Sequence, residues 1–167
     1  MPAKSFLSFA LKVVVVQAVT YLVVGSVAYQ LLTKPFYTGP DPLFASFMRT
    51  ETQPETWGHV VRWFLPANLL RGLLMALALY PFAETWVGWG FWRRCLSLAG
   101  LYLVFGFWAA AVAAPGNLEG LVYLRPEFTP AVHLRVQPEI VVQGLALGAW
   151  LAGWVAPRRR PEAEPVA

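Results

Sequence analysis

The residues in this chain that could do chemistry are few, and they stand inside apolar sequence. Between Trp57 and Phe82 (WGHVVRWFLPANLLRGLLMALALYPF) lie Arg62, Asn68 and Arg71. An arginine near the centre of a bilayer costs between about 2.5 and 17 kcal/mol, depending on how it is measured. Arg71 is therefore expected to face protein or water, with an acceptor at its own depth. The membrane-level candidates are Gln17, Glu139 and Gln143; Arg62 matches Glu139 in depth, and Arg71 matches a network with Gln17, Asn68 or Gln143. As a set, Arg62, Asn68, Arg71, Glu139, Gln143 and Gln17 read as a candidate site for a small polar or anionic ligand, or a lipid headgroup, inside a helix bundle. The bland alternative is an internal polar clamp that fixes helix register.

The two histidines, His59 and His133, are outer-face candidates at similar depth. Two ligands on separate segments without fixed spacing do not make a metal or haem site, so neither metal nor cofactor is expected. Ser/His/Asp, paired-aspartate and His-Glu-x-x-His patterns are absent, which argues against catalysis. An outer-face lipid-modifying enzyme using His133, Glu119 or Glu127 is the weakest alternative. The single cysteine, Cys95, excludes an intrachain disulfide and reads as a small apolar residue.

These residues need apolar elements to hold them. Of the 167 residues, 57% are hydrophobic and 13% charged, where an ordinary soluble domain carries about 25% charged residues. Eight Trp, eleven Phe and six Tyr suit the two headgroup interfaces of a membrane. The net charge of +4 sits in short clusters at segment ends, a pattern that orients helices and does not bind nucleic acid.

A membrane span takes about 20 residues, and four stretches qualify, near 13–32, 57–82, 93–114 and 137–155. In the first, Gln17, Tyr21 and Gly25 form one stripe facing other helices. Its rival reading is a signal peptide with Lys4 and Lys12 in front and Ser26-Val27-Ala28 as a cleavage site, although the apolar run continues past that site. The loop from Thr33 to Thr56 is rich in turn residues, and Asp41-Pro42 predicts a short interfacial helix bearing Leu43, Phe44, Phe47 and Met48. The short turn Ala83 to Gly90 makes the second and third spans antiparallel neighbours. Gly106 and the alanines from Ala109 to Ala114 predict a close helix contact late in the third span. In the second outer loop, Ala114 to Glu139, the segment LVYL is expected to dip toward the bundle. The fourth span begins after Gln137 with Pro138 in its first turn, and Gly144, Gly148 and Ala152 form a small-residue ridge for helix packing or dimerisation.

At Lys34-Pro35-Phe36-Tyr37 the chain resembles the Leu-x-Lys-Pro-aromatic loop of the translocator-protein (TspO) family. The Pro-Val-Trp and Asn-x-x-Trp signatures of that family are absent, so porphyrin or cholesterol binding does not transfer. The run from Pro115 to Tyr123, with His133-Leu134 and Pro138-Glu139 leading into a last helix, looks like a group of small bacterial four-helix integral membrane proteins. That likeness implies topology and no chemistry.

The expectation is an all-α, membrane-embedded four-helix bundle with two structured extracytoplasmic loops, residues 1–157 forming one domain and 158–167 a disordered tail. Lys4, Lys12, Arg93, Arg94 and Arg158 to Arg160 fall on one side, so the positive-inside rule places both termini in the cytoplasm of a bacterial inner membrane. The leading function is ligand binding within the bundle. The alternative is an accessory or structural subunit whose small-residue ridge packs on a membrane partner or a second copy, with the lipid bilayer as surroundings in either case.

Overall fold

The computed structural model describes residues 3–155, and all regular structure within them is helical. The tail 158–167 lies outside the described residues. In chain order the helices are α1 (Ala3–Ala28), α2 (Lys34–Thr38), α3 (Pro54–Leu79), α4 (Ala83–Val87), α5 (Phe91–Leu103), α6 (Leu118–Tyr123) and α7 (Pro130–Trp154).

Helix α1 does not stop where its apolar run ends. A π turn at Tyr29–Thr33 absorbs an extra residue and carries the helix into α2. Pro35 sits in the first turn of α2, where a missing N–H breaks no helical bond. The loop expected from Thr33 therefore begins only after Thr38. Asp41-Pro42 starts no interfacial α-helix; one 3-10 turn follows, Leu43–Ser46, without a side-chain cap. A 3-10 turn at Tyr80–Phe82 likewise extends α3 into α4, leaving Gly88 to Gly90 as the actual turn. Ser5–Thr38 and Pro54–Val87 are thus two continuous helices long and apolar enough to cross a membrane.

Helix α5 passes through a π turn at Val104–Trp108 and ends there, six residues before the expected Ala114. The alanines from Ala109 to Ala114 lie outside any helix, and Gly106 has open space beside it, so the expected close helix contact is not made. Helix α7 starts at Pro130, after Thr129, eight residues earlier than expected, and Pro138 lies in its interior. Thr129-Pro130 carries the same Pro-at-helix-start signal as Gln137-Pro138, and the upstream one wins.

Packing runs α3 on α1, α1 on α7, and α7 on α5. All three contacts are antiparallel. Gly72 meets Val14 and Ser5 meets Tyr80 between α1 and α3; Lys12 meets Trp154 between α1 and α7; Gly148 meets Cys95 and Ala99 between α5 and α7. The short turn after α4 makes α3 and α5 antiparallel, but they do not pack along each other. They are the edges of an open row, with α1 and α7 as its middle. The core lies along that middle pair, around Val13, Val16, Leu147 and Leu151. Only 17% of the apolar window of α3 is buried, and Leu65, Leu69, Leu73, Leu74 and Leu77 stand exposed on it.

A second apolar cluster closes one end, where Phe44 stacks on Phe128 at 6.2 Å above Val132 and Val136. Beside it, Asn117 caps α6: its Oδ1 accepts from Gly120 N at 2.7 Å and Ala114 N at 3.1 Å, and its Nδ2 donates to Val112 O at 2.8 Å. Of the LVYL segment, Leu121, Val122 and Tyr123 face outward and only Leu124 packs against this cluster, which corrects the expectation that the whole segment dips inward.

Candidate functional site

The open edge of the row holds a cavity of about 600 Å³. Helix α3 supplies one wall with Arg71, Met75 and Leu79, and α5 the other with Leu101, Tyr102 and Phe105. The floor is α7, through Glu139, Ile140, Gln143 and Leu147, with Tyr21 reaching in from α1. The short link between α3 and α5 holds the walls as neighbours. Their lack of mutual packing leaves the space between them.

The polar groups of this cleft are few: Arg71 is exposed, Glu139 half-buried, and the Gln143 amide buried. The Arg71 guanidinium lies over the Tyr21 ring, 5.6 Å from its centroid. Neither Arg71 nor Glu139 has an ion-pair partner among the described residues. Gln143 is 4% exposed, and its Nε2 has no hydrogen-bond partner among the described residues. A buried amide N–H left unpaired costs about 1–3 kcal/mol, so a partner that enters the cleft is stabilised by that amount before any charge is counted. Most of the remaining lining is apolar.

The sequence-selected set divides. Arg71, Glu139 and Gln143 line one cavity. Gln17 is fully buried, and neither of its amide atoms has a partner among the described residues, but it lies outside the cavity lining. Asn68 returns its Nδ2 to Phe64 O at 3.0 Å, within its own helix. Arg62 is exposed, with its guanidinium 5.8 Å from the neighbouring Trp63 ring centre, and does not meet Glu139. The expected Arg62–Glu139 pair is therefore corrected, because Arg62 points off the row and Glu139 into it.

The histidines do not form a common site. His59 is exposed, 6.5 Å from the Trp63 ring. His133, expected at the outer face, is buried, and its Nδ1 accepts the Gly116 N–H at 2.8 Å. Gly116 has φ +96°, which glycine adopts without strain, and Gln137 bonds its carbonyl. No three His, Cys, Asp or Glu residues cluster among the described residues. The small-residue ridge is occupied within the chain: a Cβ on Gly148 would stand 2.6 Å from Cys95 O, and one on Gly144 2.7 Å from Leu103. Ala152 is fully buried on the same helix.

Two cleft residues escaped the sequence reading of chemistry, Tyr102 and Tyr21. The i, i+4, i+8 stripe through Gln17 and Gly25 already marked Tyr21 as inward-facing. Arg94 is a further surprise. It is 7% exposed, with Nε and Nη1 unpartnered among the described residues, whereas Arg93 stacks on Trp89 at 4.2 Å.

The fold and cleft define an all-helical chain with two membrane-length helices and a polar-floored opening between its edge helices. No protein-family model, curated protein or solved structure matches it.

Proposed function

We propose that this protein is a multi-pass integral membrane protein that binds an amphipathic ligand in the cleft between α3 and α5. The two helices long and apolar enough to cross a membrane, α1 with α2 and α3 with α4, support it, and the reading adds α5 with its π turn and α7 as two further spans. The apolar face of α3 described above suits lipid and not water, since soluble monomers expose apolar patches of only about 300–600 Å². Tyr80, Trp89 and Trp154 ring one end of the row and Tyr29, Tyr37 and Trp57 the other, as aromatic belts do.

The observation that carries the ligand reading is the coincidence of three unpaired polar groups, Arg71, Glu139 and the Gln143 amide, in one otherwise apolar cavity of about 600 Å³. An internal clamp would join such groups to each other; here they are held apart. A ligand with an anionic or polar group for Arg71 and Gln143, and an apolar body for Met75, Leu101 and Phe105, complements the lining. Opening between the two edge helices lets it enter sideways from the bilayer.

The test is native mass spectrometry of protein purified in mild detergent. Wild type is expected to retain an amphiphile and Arg71→Leu to lose it. Removing an unpaired cation from apolar surroundings should leave the melting temperature of the empty protein unchanged or raised. Nothing bound to wild type, or equal retention by Arg71→Leu, would sink the reading. Gly144 and Gly148, the ridge on which the partner-subunit alternative relied, pack on α5 within the chain, which favours the ligand reading.

A further inference from the structure

A second cavity, of about 400 Å³, lies on the other side of Tyr21 and Glu139, toward the end of the row where α1 passes into α2. Its walls are aromatic and its charge is of one sign. Tyr29 and Tyr37 meet edge-to-face at 5.3 Å and 67°, Tyr21 and Phe64 lie 5.7 Å apart, and Trp57 lines the same space. Glu51, held by the Tyr29 hydroxyl at 2.8 Å, stands on one side and Glu139 on the other. Among the described residues no lysine or arginine lines this space, although the Lys34 ammonium donates to Oε1 of the lining Gln30 at 3.4 Å. Gly25 lies beside the Glu139 carboxylate: a Cβ added there would stand 3.5 Å from Oε1, an ordinary van der Waals contact.

Aromatic faces attract cations through their quadrupoles, and carboxylates do so through charge. An anionic ligand would be repelled by both. A neutral one would leave Glu139 uncompensated. A small metal ion wants several oxygen ligands at about 2.0–2.6 Å and gains little from π walls or from a space this wide. We infer that this second cavity is a site for an organic ammonium group, caged by Tyr29, Tyr37 and Trp57 and neutralised by Glu51 and Glu139. The ammonium group belongs either to a soluble amine or to the headgroup of an aminophospholipid.

Calorimetric titration of the detergent-solubilised full chain with choline chloride, and with its uncharged isostere 3,3-dimethylbutan-1-ol, reads the charge preference. Choline should bind saturably and at least about tenfold tighter than the isostere. Glu139→Gln should weaken it by about tenfold, and so should Glu51→Gln, whose exposed position puts folding at no risk. Native mass spectrometry from nanodiscs of equimolar phosphatidylethanolamine and phosphatidylglycerol separates the sources. Enrichment of the ethanolamine lipid, lost in Glu51→Gln, assigns a lipid headgroup to this cavity; choline binding without that enrichment assigns a soluble amine. The inference is overturned if neither binds preferentially, if the isostere binds as well as choline, or if both glutamine variants bind like wild type. Glu139 lines both cavities, whereas Glu51 lines only the second, so the Glu51→Gln arm keeps a failure of this inference apart from a failure of the Arg71 reading.

Discussion

Asn117 shows how one polar side chain fixes a joint. Its three hydrogen bonds tie Val112, Ala114 and Gly120 together, and the turn they close presents Gly116 N–H to His133. Losing a cap of this kind costs about 0.5–2 kcal/mol, and each buried group left unpaired adds to it. Asn117→Ala is thus expected to lower the melting temperature in detergent by several degrees, at about 2–4 °C per kcal/mol for a chain of this size. His133→Ala should also destabilise, since it orphans the Gly116 N–H; a histidine serving outer-face catalysis would be removed without loss of stability. The Pro-Gly-Asn run was legible as a turn. That His133 is structural was not, because residue type and spacing carry no information on burial. The same holds for Arg93 and Arg94, adjacent and identical in type, of which one stacks on Trp89 and the other is buried.

At the scale of elements, apolar runs and proline positions located the helices but mistook their ends. Two of the errors share a physical origin: a π or 3-10 turn let the chain stay helical across residues that read as stops, at Lys34-Pro35 and Tyr80-Pro81. Small residues along α7 were legible as a contact ridge; which helix they contact was not. Gly148 lies so close to the α5 backbone that Gly148→Leu must force the two helices apart. Overpacking usually costs about 1–3 kcal/mol, and a clash with backbone belongs at or above the top of that range. We expect Gly148→Leu to unfold at markedly lower temperature in detergent, with no change in oligomeric mass among the molecules that remain folded. A change of mass with unaltered stability would return the ridge to an external partner.

For the molecule as a whole, orientation follows from where charge and hydrogen bonds place the helix ends. Ser5 with Tyr80, and Lys12 with Trp154, gather the start of α1, the end of α3 and the end of α7 at one end of the row, and the turn before Arg93 joins them there. The opposite end carries Lys34, Arg49, Arg125 and Arg135, balanced by Asp41, Glu51, Glu55, Glu119 and Glu127. On the proposed membrane reading, the positive-inside rule would hold the first end, with Lys12, Arg93 and Arg94, in the cytoplasm. Cys95 is buried and should resist a membrane-impermeant maleimide; replacing it by alanine removes even residual background. In that Cys95→Ala chain, Glu127→Cys should label in intact cells and Gly88→Cys only after permeabilisation. The reverse pattern would invert the orientation and put both cavities' polar ends at the wrong surface. Labelling of both positions in intact cells would remove the bilayer from between them. The exposed leucines of α3 would then need a protein cover instead of lipid.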